Sequence, residues 1–244
     1  GDAPHLVLGA LDHADCVLTT EWAVRLAEAL QTVSIVLTDQ NLAQSRALIP
    51  QPDYTLPDIP ARRTAGPNDN YQRYEITADG VSPMAIPGTA CSTYVADGLE
   101  HTPTGKPSTA AADHAAQLDK RLRKIEQFEY GELWADVRGE GETAILTWGS
   151  TTAAAREAAE RLLDSGVNVK VIAIRLLMPA RPEDLAEVLA GVRRVLVVEQ
   201  SHGLQFHRYL RSYYDIGAEM RNLARPGPLL ITPGEIVQSI EEWK

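Results

Sequence analysis

The sequence predicts an α/β fold whose C-terminal part is a doubly wound parallel sheet. First, short strands rich in β-branched residues alternate with helical segments over residues 141–244. Second, a strand–helix–strand unit lies within residues 5–37. Third, the 244 residues are 44% apolar, which is enough to bury a core without disulfides.

Residues 1–49 form the first predicted segment and contain the strand–helix–strand unit. His5–Gly9 is a short apolar run typical of a strand, and the apolar residues of Asp12–Leu30 recur at helical spacing. Val33–Leu37 is apolar throughout apart from one serine, which predicts a fully buried strand. Because one such unit cannot bury its own faces, we expect it to belong to a larger sheet.

Residues 50–140 form the second predicted segment. Nine of the 15 prolines lie in it before its only predicted helix, and proline disfavours long helices and central strands. A flexible linker is one interpretation, but aromatic residues such as Tyr71 and Tyr94 favour an ordered, extended crossover. A charged helix is predicted over Thr109–Phe128, with Ser108 as its N-cap.

Residues 141–244 form the third predicted segment and carry the regular alternation. Gly166 is a predicted C-cap, and Pro182 is typical of a first helical turn. The predicted strands are Thr143–Trp148, Val167–Ile174, Arg194–Val198 and Leu229–Ile231. The predicted helices are Thr152–Asp164, Pro182–Ala190, Gly203–Tyr214 and Pro233–Glu242.

Composition excludes several classes of protein. A net charge of −10 argues against a surface for nucleic acid or anionic membranes, and no apolar run approaches the ~18 residues of a membrane span. The two cysteines, Cys16 and Cys91, exclude a disulfide framework and a self-contained iron–sulfur cluster. They favour a reducing compartment, so a cytoplasmic location is expected.

Polar residues after the predicted strands are the candidate site residues, since ligands meet parallel sheets at the carboxyl ends of strands. Asp39 follows one strand, and the turn Gly149–Thr151 opens a helix whose free amides indicate either an anion site or a capped turn. Glu199 and His202 form either an acid–base pair or part of a hydrogen-bonded turn or subunit contact, with Gln200 beside them.

No metal site or catalytic thiol is expected. The run Asp12–Cys16 contains metal-ligand residue types, but aspartates at a helix start are more typical of capping. The histidines show no metal-binding spacing. Cys91 has no adjacent cation or predicted helix start that would lower the pKa of its thiol.

Several strings of the chain are specific enough to compare with known families. They are Ile35-Val36-Leu37-Thr38-Asp39-Gln40, Tyr71-Gln72-Arg73-Tyr74, Asp79-Gly80-Val81-Ser82-Pro83, Asp97-Gly98-Leu99-Glu100-His101, Gly105-Lys106-Pro107-Ser108 and Lys120-Arg121-Leu122-Arg123-Lys124. Together they resemble the α subunit of 2-oxoacid:ferredoxin oxidoreductases, most closely the 2-oxoglutarate type. One departure is Leu204, which stands where a glycine is usual in the family.

The resemblance implies a fold and a reaction. Residues 1–49 are then the remnant of a thiamine-diphosphate-fold pyrimidine-side domain, residues 50–140 a crossover, and residues 141–244 a transketolase C-terminal-like domain. The implied reaction is oxidative decarboxylation of 2-oxoglutarate to an acyl-coenzyme A, with electrons passing to ferredoxin. Alternatives are the same reaction on pyruvate or branched-chain 2-oxoacids, a non-catalytic assembly or docking module, or an unrelated nucleotide-binding α/β protein.

The resemblance also implies cofactors and partners. Thiamine diphosphate with Mg²⁺ and iron–sulfur clusters are expected in the assembled complex, held by a β subunit or by residues upstream of Gly1, and none in this chain alone. A γ-type domain or the N-terminal part of the same subunit, ferredoxin and coenzyme A are the further expected partners. The family's substrate-binding strings do not occur here, so no catalytic residue is assigned and the piece is expected to be inactive alone.

Glu100 and His101 end the most specific string of the resemblance. We expect them to make a domain or subunit contact, ahead of a contact with substrate or coenzyme A. Glu199, Gln200 and His202 are candidates for a contact at the strand ends.

Overall fold

The computed structural model describes residues 2–52 and 56–243, and it divides into two compact units. Unit 1 consists of Gly1–Leu6, Trp22–Ile35 and Leu56–Glu129. Unit 2 consists of Val7–Glu21, Val36–Thr55 and Tyr130–Lys244. Residues of the predicted first segment therefore belong to both units, since the chain passes between them inside its first helix.

The N-terminal strand–helix–strand unit is present and belongs to a larger sheet, as predicted. It comprises β1 (Leu6–Gly9), α1 (His13–Leu30) and β2 (Ser34–Leu37), and the sheet order is β2-β1-β8, where β8 (Leu176–Met178) runs antiparallel to β1. The prediction that the second strand is fully buried is wrong, because β2 is an edge strand and Ile35 is 41% exposed. A short helix, α2 (Gln40–Gln44), follows it.

The proline-rich part of unit 1 is an ordered, extended crossover rather than a flexible linker. Its short strands β3 (Thr64–Ala65) and β4 (Met84–Ala85) pair in parallel. The Tyr71 hydroxyl donates to the Pro83 carbonyl at 3.1 Å and accepts the Ala85 amide at 2.9 Å. This aromatic side chain therefore replaces backbone hydrogen bonds that a proline-rich segment cannot make for itself.

The charged helix of unit 1, α3 (Ala111–Glu126), begins later than predicted. Ser108 is not its N-cap, since Ala110 occupies that position without a side-chain hydrogen bond. Instead, the Ser108 hydroxyl donates to Asp113 at 2.5 Å and accepts the Ala110 amide at 3.1 Å. Ser108 therefore forms a turn ahead of the helix, a hydrogen-bonding role that serine shares with capping.

Unit 2 is built on a five-stranded sheet of order β10-β9-β6-β7-β5. Its strands pair in parallel except β5, which runs antiparallel to β7, so the doubly wound prediction is confirmed with one antiparallel edge. The strands are β5 (Ala135–Arg138), β6 (Thr143–Thr147), β7 (Val169–Ile174), β9 (Arg194–Glu199) and β10 (Glu219–Ala224).

Helices of unit 2 cover the sheet and bury its apolar side chains. They are α4 (Thr151–Asp164), α5 (Pro182–Val188), α6 (Gln205–Tyr213) and α7 (Pro233–Glu241), with a 3-10 turn at Gly131–Trp134. Helices α4 and α7 share one core cluster with strands β6, β7 and β9, which includes Leu162, Val171, Leu196, Val198 and Ile236. Alternate residues of one strand thus face one layer of helices, as a strand of period two requires.

Three strands of unit 2 were not predicted, and one strand predicted there is wrong. Leu229–Ile231 is a loop in which Leu229 is 72% exposed, and the strand that pairs with β9 is β10 instead. The sequence of β10, Glu-Met-Arg-Asn-Leu-Ala, has no regular alternation of polar and apolar residues, and none of its side chains is buried because β10 is an edge strand. Strands β5 and β8, also missed, are too short to show a pattern.

Arg175, between β7 and β8, is a buried hub of unit 2. Its guanidinium contacts the Asp15 carboxylate at 2.7 and 3.0 Å, and the two side chains are only 7% and 9% exposed. It also donates to the Leu133 carbonyl at 2.5 Å. Its backbone amide donates to Trp134, and its carbonyl accepts the Gly9 amide. Arg175 therefore joins the start of α1, the end of β1 and the 3-10 turn.

Among the residues that the structure describes, no helix is both long enough and apolar enough to cross a membrane.

The first prediction concerns this buried ion pair. Asp15→Asn should lower the free energy of unfolding by about 3–5 kcal/mol, because it leaves the buried Arg175 charge without its carboxylate. Urea denaturation followed by tryptophan fluorescence measures the change. The control is Glu142→Gln, which breaks an exposed pair with Arg193 at 3.3 Å and should cost less than about 1 kcal/mol. Equal costs for the two variants would show that the Asp15–Arg175 pair does not anchor unit 2.

Candidate functional site

A cavity of about 330 Å³ lies in unit 2 at the carboxyl ends of β6 and β9. This is the edge of the sheet at which the sequence places its candidate residues. The walls are largely apolar and aromatic, and two carboxylates, Asp39 and Glu199, stand among them. The lining residues are Val7, Asp39, Trp148, Gly149, Thr151, Leu177, Met178, Glu199, Gln200, Ser201, Gln205, Phe206 and Tyr209.

The Asp39 carboxylate occupies the position at the turn Gly149–Thr151 where a bound anion was one of the two expectations. One carboxylate oxygen of Asp39 accepts the Leu42 amide at 3.0 Å and so caps α2. The other accepts the Ser150 amide at 3.1 Å, at the start of α4. Since the protein's own carboxylate takes this amide, the structure favours the capped turn over an anion site.

Glu199 is a buried structural carboxylate, 2% exposed. It accepts hydrogen bonds from the Ser201 hydroxyl at 2.6 Å, the Phe206 amide at 2.9 Å and the His207 amide at 3.0 Å. These amides begin α6, whose N-cap residue makes no side-chain hydrogen bond of its own. Glu199 therefore caps the helix from the end of β9, where a negative charge meets the positive end of the helix dipole.

The predicted acid–base pair of Glu199 and His202 is not formed in the described part of the chain. His202 is exposed and does not line the cavity, and the hydrogen bonds of Glu199 go to Ser201, Phe206 and His207. The alternative interpretation of a hydrogen-bonded turn is the one that the geometry supports.

Leu204, the family departure in this turn, has a left-handed backbone with φ of 52°. A glycine adopts this conformation without steric cost, whereas a leucine brings its Cβ close to the following carbonyl. In this turn Glu199 accepts the Phe206 and His207 amides that follow Leu204.

Gln200 joins the strand end to the loop that follows β10. Its amide nitrogen donates to the Leu229 carbonyl at 2.8 Å, and its amide oxygen accepts the Ile231 amide at 3.4 Å. The run Leu229–Ile231 is therefore held by side-chain hydrogen bonds with Gln200 and Arg225 rather than by a neighbouring strand. Gln200 also lines the cavity, and its hydrogen bonds to Leu229 and Ile231 hold its side chain in that position.

The cavity of unit 2 is poorly suited to an anionic substrate. Its described lining contains no lysine or arginine, and all four carboxylate oxygens of Asp39 and Glu199 already accept hydrogen bonds. An anion placed there would meet two negative charges without a compensating cation. The walls fit an uncharged apolar or aromatic group instead.

The aromatic wall of this cavity was not predicted from the sequence. Phe206 and Tyr209 of α6 line the cavity with ring centroids 6.0 Å apart, and Tyr213, outside the lining, packs against Tyr209 with centroids 5.2 Å apart. The Tyr209 hydroxyl also donates to the Leu177 carbonyl. The spacing of three and four residues was the available indication, since it places side chains on one helical face.

Glu100 and His101 lie in unit 1, where both serve internal contacts. The Glu100 carboxylate accepts two hydrogen bonds from Arg121 at 2.7 and 2.9 Å, and contacts His114 Nδ1 at 2.9 Å. His101 is 3% exposed, its ring stacks on Tyr74 with centroids 4.4 Å apart, and its Nε2 lies 3.2 Å from an Asp97 oxygen. Both residues therefore hold their loop within the unit, and a contact with another domain or subunit, with substrate or with coenzyme A stays a prediction.

The lowered pKa of the Glu100 carboxyl agrees with a structural role of its contacts with Arg121 and His114. Burial alone would raise the pKa of its carboxyl, but hydrogen bonds from Arg121, His114 and the His101 amide lower that pKa to about 2. Because the folded-state pKa lies below the ordinary value near 4.5, these contacts stabilise the fold above pH 4.5. Their contribution is lost as the pH falls from 4.5 towards 2.

The described residues do not fit the metal groups that the resemblance implies for the assembled complex. No group of three or more His, Cys, Asp or Glu side chains among them is placed to hold a metal ion. Cys16 and Cys91 are both free thiols, one in each unit, whereas an iron–sulfur cluster needs four ligands. That these groups are held outside this chain stays a prediction.

The second prediction tests the role of Glu199. Glu199→Gln should lower the free energy of unfolding by about 1.5–3 kcal/mol, because it removes the charge from hydrogen bonds to two helix amides. Urea denaturation measures this cost. The control, Glu187→Gln on an exposed side chain of α5, should change stability by less than about 0.5 kcal/mol. An unchanged stability of Glu199→Gln would reject the capping role.

Comparison with known proteins extends this structural description. Residues 134–206, from the 3-10 turn to the start of α6, match the family described as Transketolase, C-terminal domain. A solved structure of 2-oxoglutarate:ferredoxin oxidoreductase from Magnetococcus marinus, with 2-oxoglutarate, coenzyme A and succinyl-CoA bound, is 35% identical. The match has a TM-score of 0.86 and covers 99% of this chain and 42% of that chain.

Two curated relatives are similar over the same extent. Subunit alpha of 2-oxoacid:ferredoxin oxidoreductase 2 from Aeropyrum pernix is 34% identical over 88% of this chain and 35% of its own length. The 2-oxoglutarate oxidoreductase subunit KorA of Mycobacterium tuberculosis is 30% identical over 88% of this chain and 33% of its own. The chain thus spans about a third of these relatives. It contains a transketolase C-terminal domain and is similar, over most of its length, to α subunits of 2-oxoacid:ferredoxin oxidoreductases.

Proposed function

We propose that this chain is part of the α subunit of a thiamine-diphosphate-dependent 2-oxoglutarate:ferredoxin oxidoreductase. The observation that carries the proposal is the agreement of nearly the whole chain with the Magnetococcus marinus enzyme, at a TM-score of 0.86 and 35% identity. The transketolase C-terminal domain supports the same assignment.

In the proposed reaction the bond between the carboxylate and the keto carbon of 2-oxoglutarate breaks and CO₂ leaves. The thiol of coenzyme A loses its proton and forms a thioester with the remaining acyl group. Two electrons are released and pass one at a time to two ferredoxin molecules. Thiamine diphosphate is the group that supplies carbanion stabilisation in such decarboxylations.

Within this assembly we assign the chain a supporting role. Its strand-end carboxylates, Asp39 and Glu199, are committed to helix caps, and its cavity in unit 2 lacks cations. The proposed partners are therefore a β subunit that carries thiamine diphosphate and an iron–sulfur cluster, and a γ-type domain or the N-terminal part of the α subunit. Ferredoxin and coenzyme A complete the set.

The proposed substrate is 2-oxoglutarate rather than pyruvate or a branched-chain 2-oxoacid. Two similar proteins carry 2-oxoglutarate in their names, and one of them was solved with that acid bound. The Aeropyrum pernix relative is named only for 2-oxoacids, so the other acids remain the runner-up substrates.

A non-catalytic assembly or docking module is the second candidate. It is favoured by the same commitment of polar groups to internal contacts in both units, at Glu199 and at Glu100. It predicts stable binding to a thiamine-diphosphate-carrying β subunit without any effect on turnover.

The third prediction separates these candidates. The chain alone, with thiamine diphosphate, Mg²⁺, coenzyme A and a viologen acceptor, should not reduce the acceptor when 2-oxoglutarate is added. Addition of a β subunit and a polypeptide that supplies the N-terminal part of the α subunit should restore viologen reduction. The rate should be highest with 2-oxoglutarate, and pyruvate and 2-oxoisovalerate serve as the comparison substrates.

The matched control omits only the present chain from the reconstituted mixture. Turnover that does not depend on the chain, together with its stable binding in gel filtration, would identify a docking module. Turnover by the chain alone would overturn the assignment of a supporting role. A rate with pyruvate equal to or above that with 2-oxoglutarate would overturn the proposed substrate.

A further inference from the structure

A small cavity in unit 1 is lined by four cationic side chains. It has a volume of about 120 Å³ and lies between the end of α1, the segment 73–82 and helix α3. The cations are Arg73, Lys120, Arg121 and Lys124, which is a dense positive cluster in a chain whose net charge is −10. The other lining residues are Leu30, Gln31, Tyr74, Gly80, Val81, Ser82 and Gln117.

One carboxylate balances this cluster. Glu100 pairs with Arg121, as described above. Among the residues that the structure describes, no carboxylate lies within ion-pair distance of Arg73, Lys120 or Lys124, so three positive charges lack a salt-bridge partner.

Each of the three cations makes only neutral contacts instead. The Lys120 ammonium, on a side chain only 7% exposed, donates to Gln117 Oε1 at 3.4 Å. The Lys124 ammonium donates to the Gln31 carbonyl at 3.0 Å. The Arg73 guanidinium lies over two tyrosine rings, 5.6 and 5.7 Å from their centroids.

Such an arrangement is unfavourable without an anion. Burial, followed by repulsion from Lys124, Arg73 and Arg121, lowers the pKa of Lys120 to about 8, although Glu100 acts in the opposite direction. Burial, followed by repulsion from Arg73 and Arg121, lowers the pKa of Lys124 to about 8. Both groups hold their protons less firmly in the fold than in water. A bound anion would offset the repulsion and raise the pKa of both lysines.

The cavity is held in shape by contacts that do not involve its charges. Gly80, with φ of +75°, brings its turn so close to α3 that an added Cβ would lie 2.5 Å from the Lys120 carbonyl oxygen. The side-chain nitrogen of Gln117 donates to the Tyr74 carbonyl at 2.8 Å and fixes the chain beside Arg73. The cationic groups are therefore preorganised, which reduces the entropy cost of binding.

We propose that this cavity is a phosphate-binding site, in which Arg73, Lys120 and Lys124 contact one phosphate group of a ligand. Three cations without carboxylate partners match the charge of a phosphate better than the single charge of a carboxylate. The volume is well below the roughly 300–1,000 Å³ of pockets that enclose a whole ligand, so only the phosphate group enters. The inference concerns unit 1 alone and does not depend on the proposed reaction.

The fourth prediction is tested by calorimetry of the 244-residue chain with inorganic phosphate. We expect saturable binding at pH 7, and about tenfold weaker binding for Lys120→Met and for Arg73→Gln, since each removes one charge-assisted contact. Lys106→Met, which removes an exposed lysine outside the cavity, is the matched control and should bind like the wild type.

Two further readouts separate a binding role from a structural one. Affinity should fall between pH 7 and pH 9, because the lysines lose their protons near pH 8 while phosphate remains a dianion above about pH 7. Without phosphate, Lys120→Met should not lower the thermal unfolding midpoint, since it removes a buried and repelled charge. If that variant nevertheless unfolds, the Arg73→Gln variant carries the test.

Two phosphate sources are distinguished by parallel titrations with coenzyme A and with inorganic phosphate. At least tenfold tighter binding of coenzyme A, weakened equally by Lys120→Met, would identify the phosphate of a larger molecule. Equal affinities would identify the free ion. The site assignment would be overturned by no saturable binding of either probe, by a variant that binds like Lys106→Met, or by preferential binding of 2-oxoglutarate. Because binding is measured without turnover, these outcomes are independent of the reconstitution experiment.

Discussion

The buried pair of Arg175 and Asp15 is the interaction on which the rest of unit 2 depends. Arg175 uses its amide, its carbonyl and its guanidinium to join the 3-10 turn, the end of β1 and the start of α1. A buried guanidinium is costly unless its donors are satisfied, so these elements have to meet at one place. The N-terminal strand and the start of the first helix are thereby fixed to the C-terminal sheet, and the strand-end cavity receives its wall from Val7 and Asp39.

The same principle explains why the strand ends of unit 2 look chemically active and are nevertheless structural. Asp39 and Glu199 stand where ligands usually meet parallel sheets, yet each faces backbone amides at the start of a helix. A carboxylate in that position stabilises the helix and accepts the hydrogen bonds of the amides that would otherwise attract an anion. The strand-end carboxylates of unit 2 therefore stabilise its helices.

Unit 1 follows the opposite arrangement. Glu100 balances one cation of α3, but the remaining cations around the small cavity have no carboxylate partner in the described part of the chain. Buried cations without a counter-charge cost free energy, and a ligand that supplied the counter-charge would offset that cost. The two units therefore differ in their electrostatics. In unit 2, the carboxylates Asp39 and Glu199 accept hydrogen bonds from helix amides. In unit 1, the cations Arg73, Lys120 and Lys124 line a cavity without a carboxylate partner among the described residues.

The alternation of strands and helices, the ordered crossover and the polar residues after strands could be predicted from the sequence, because they depend on local periodicity, proline content and strand polarity. The sequence did not reveal β5, β8 and β10, which are short or edge strands with little apolar pattern. The sequence could not predict that Glu199 faces two amides and not His202, or that Arg73, Lys120 and Lys124 line one cavity. Both arrangements depend on which distant segments pack together, because the residues that contact a buried charge come from different parts of the sequence.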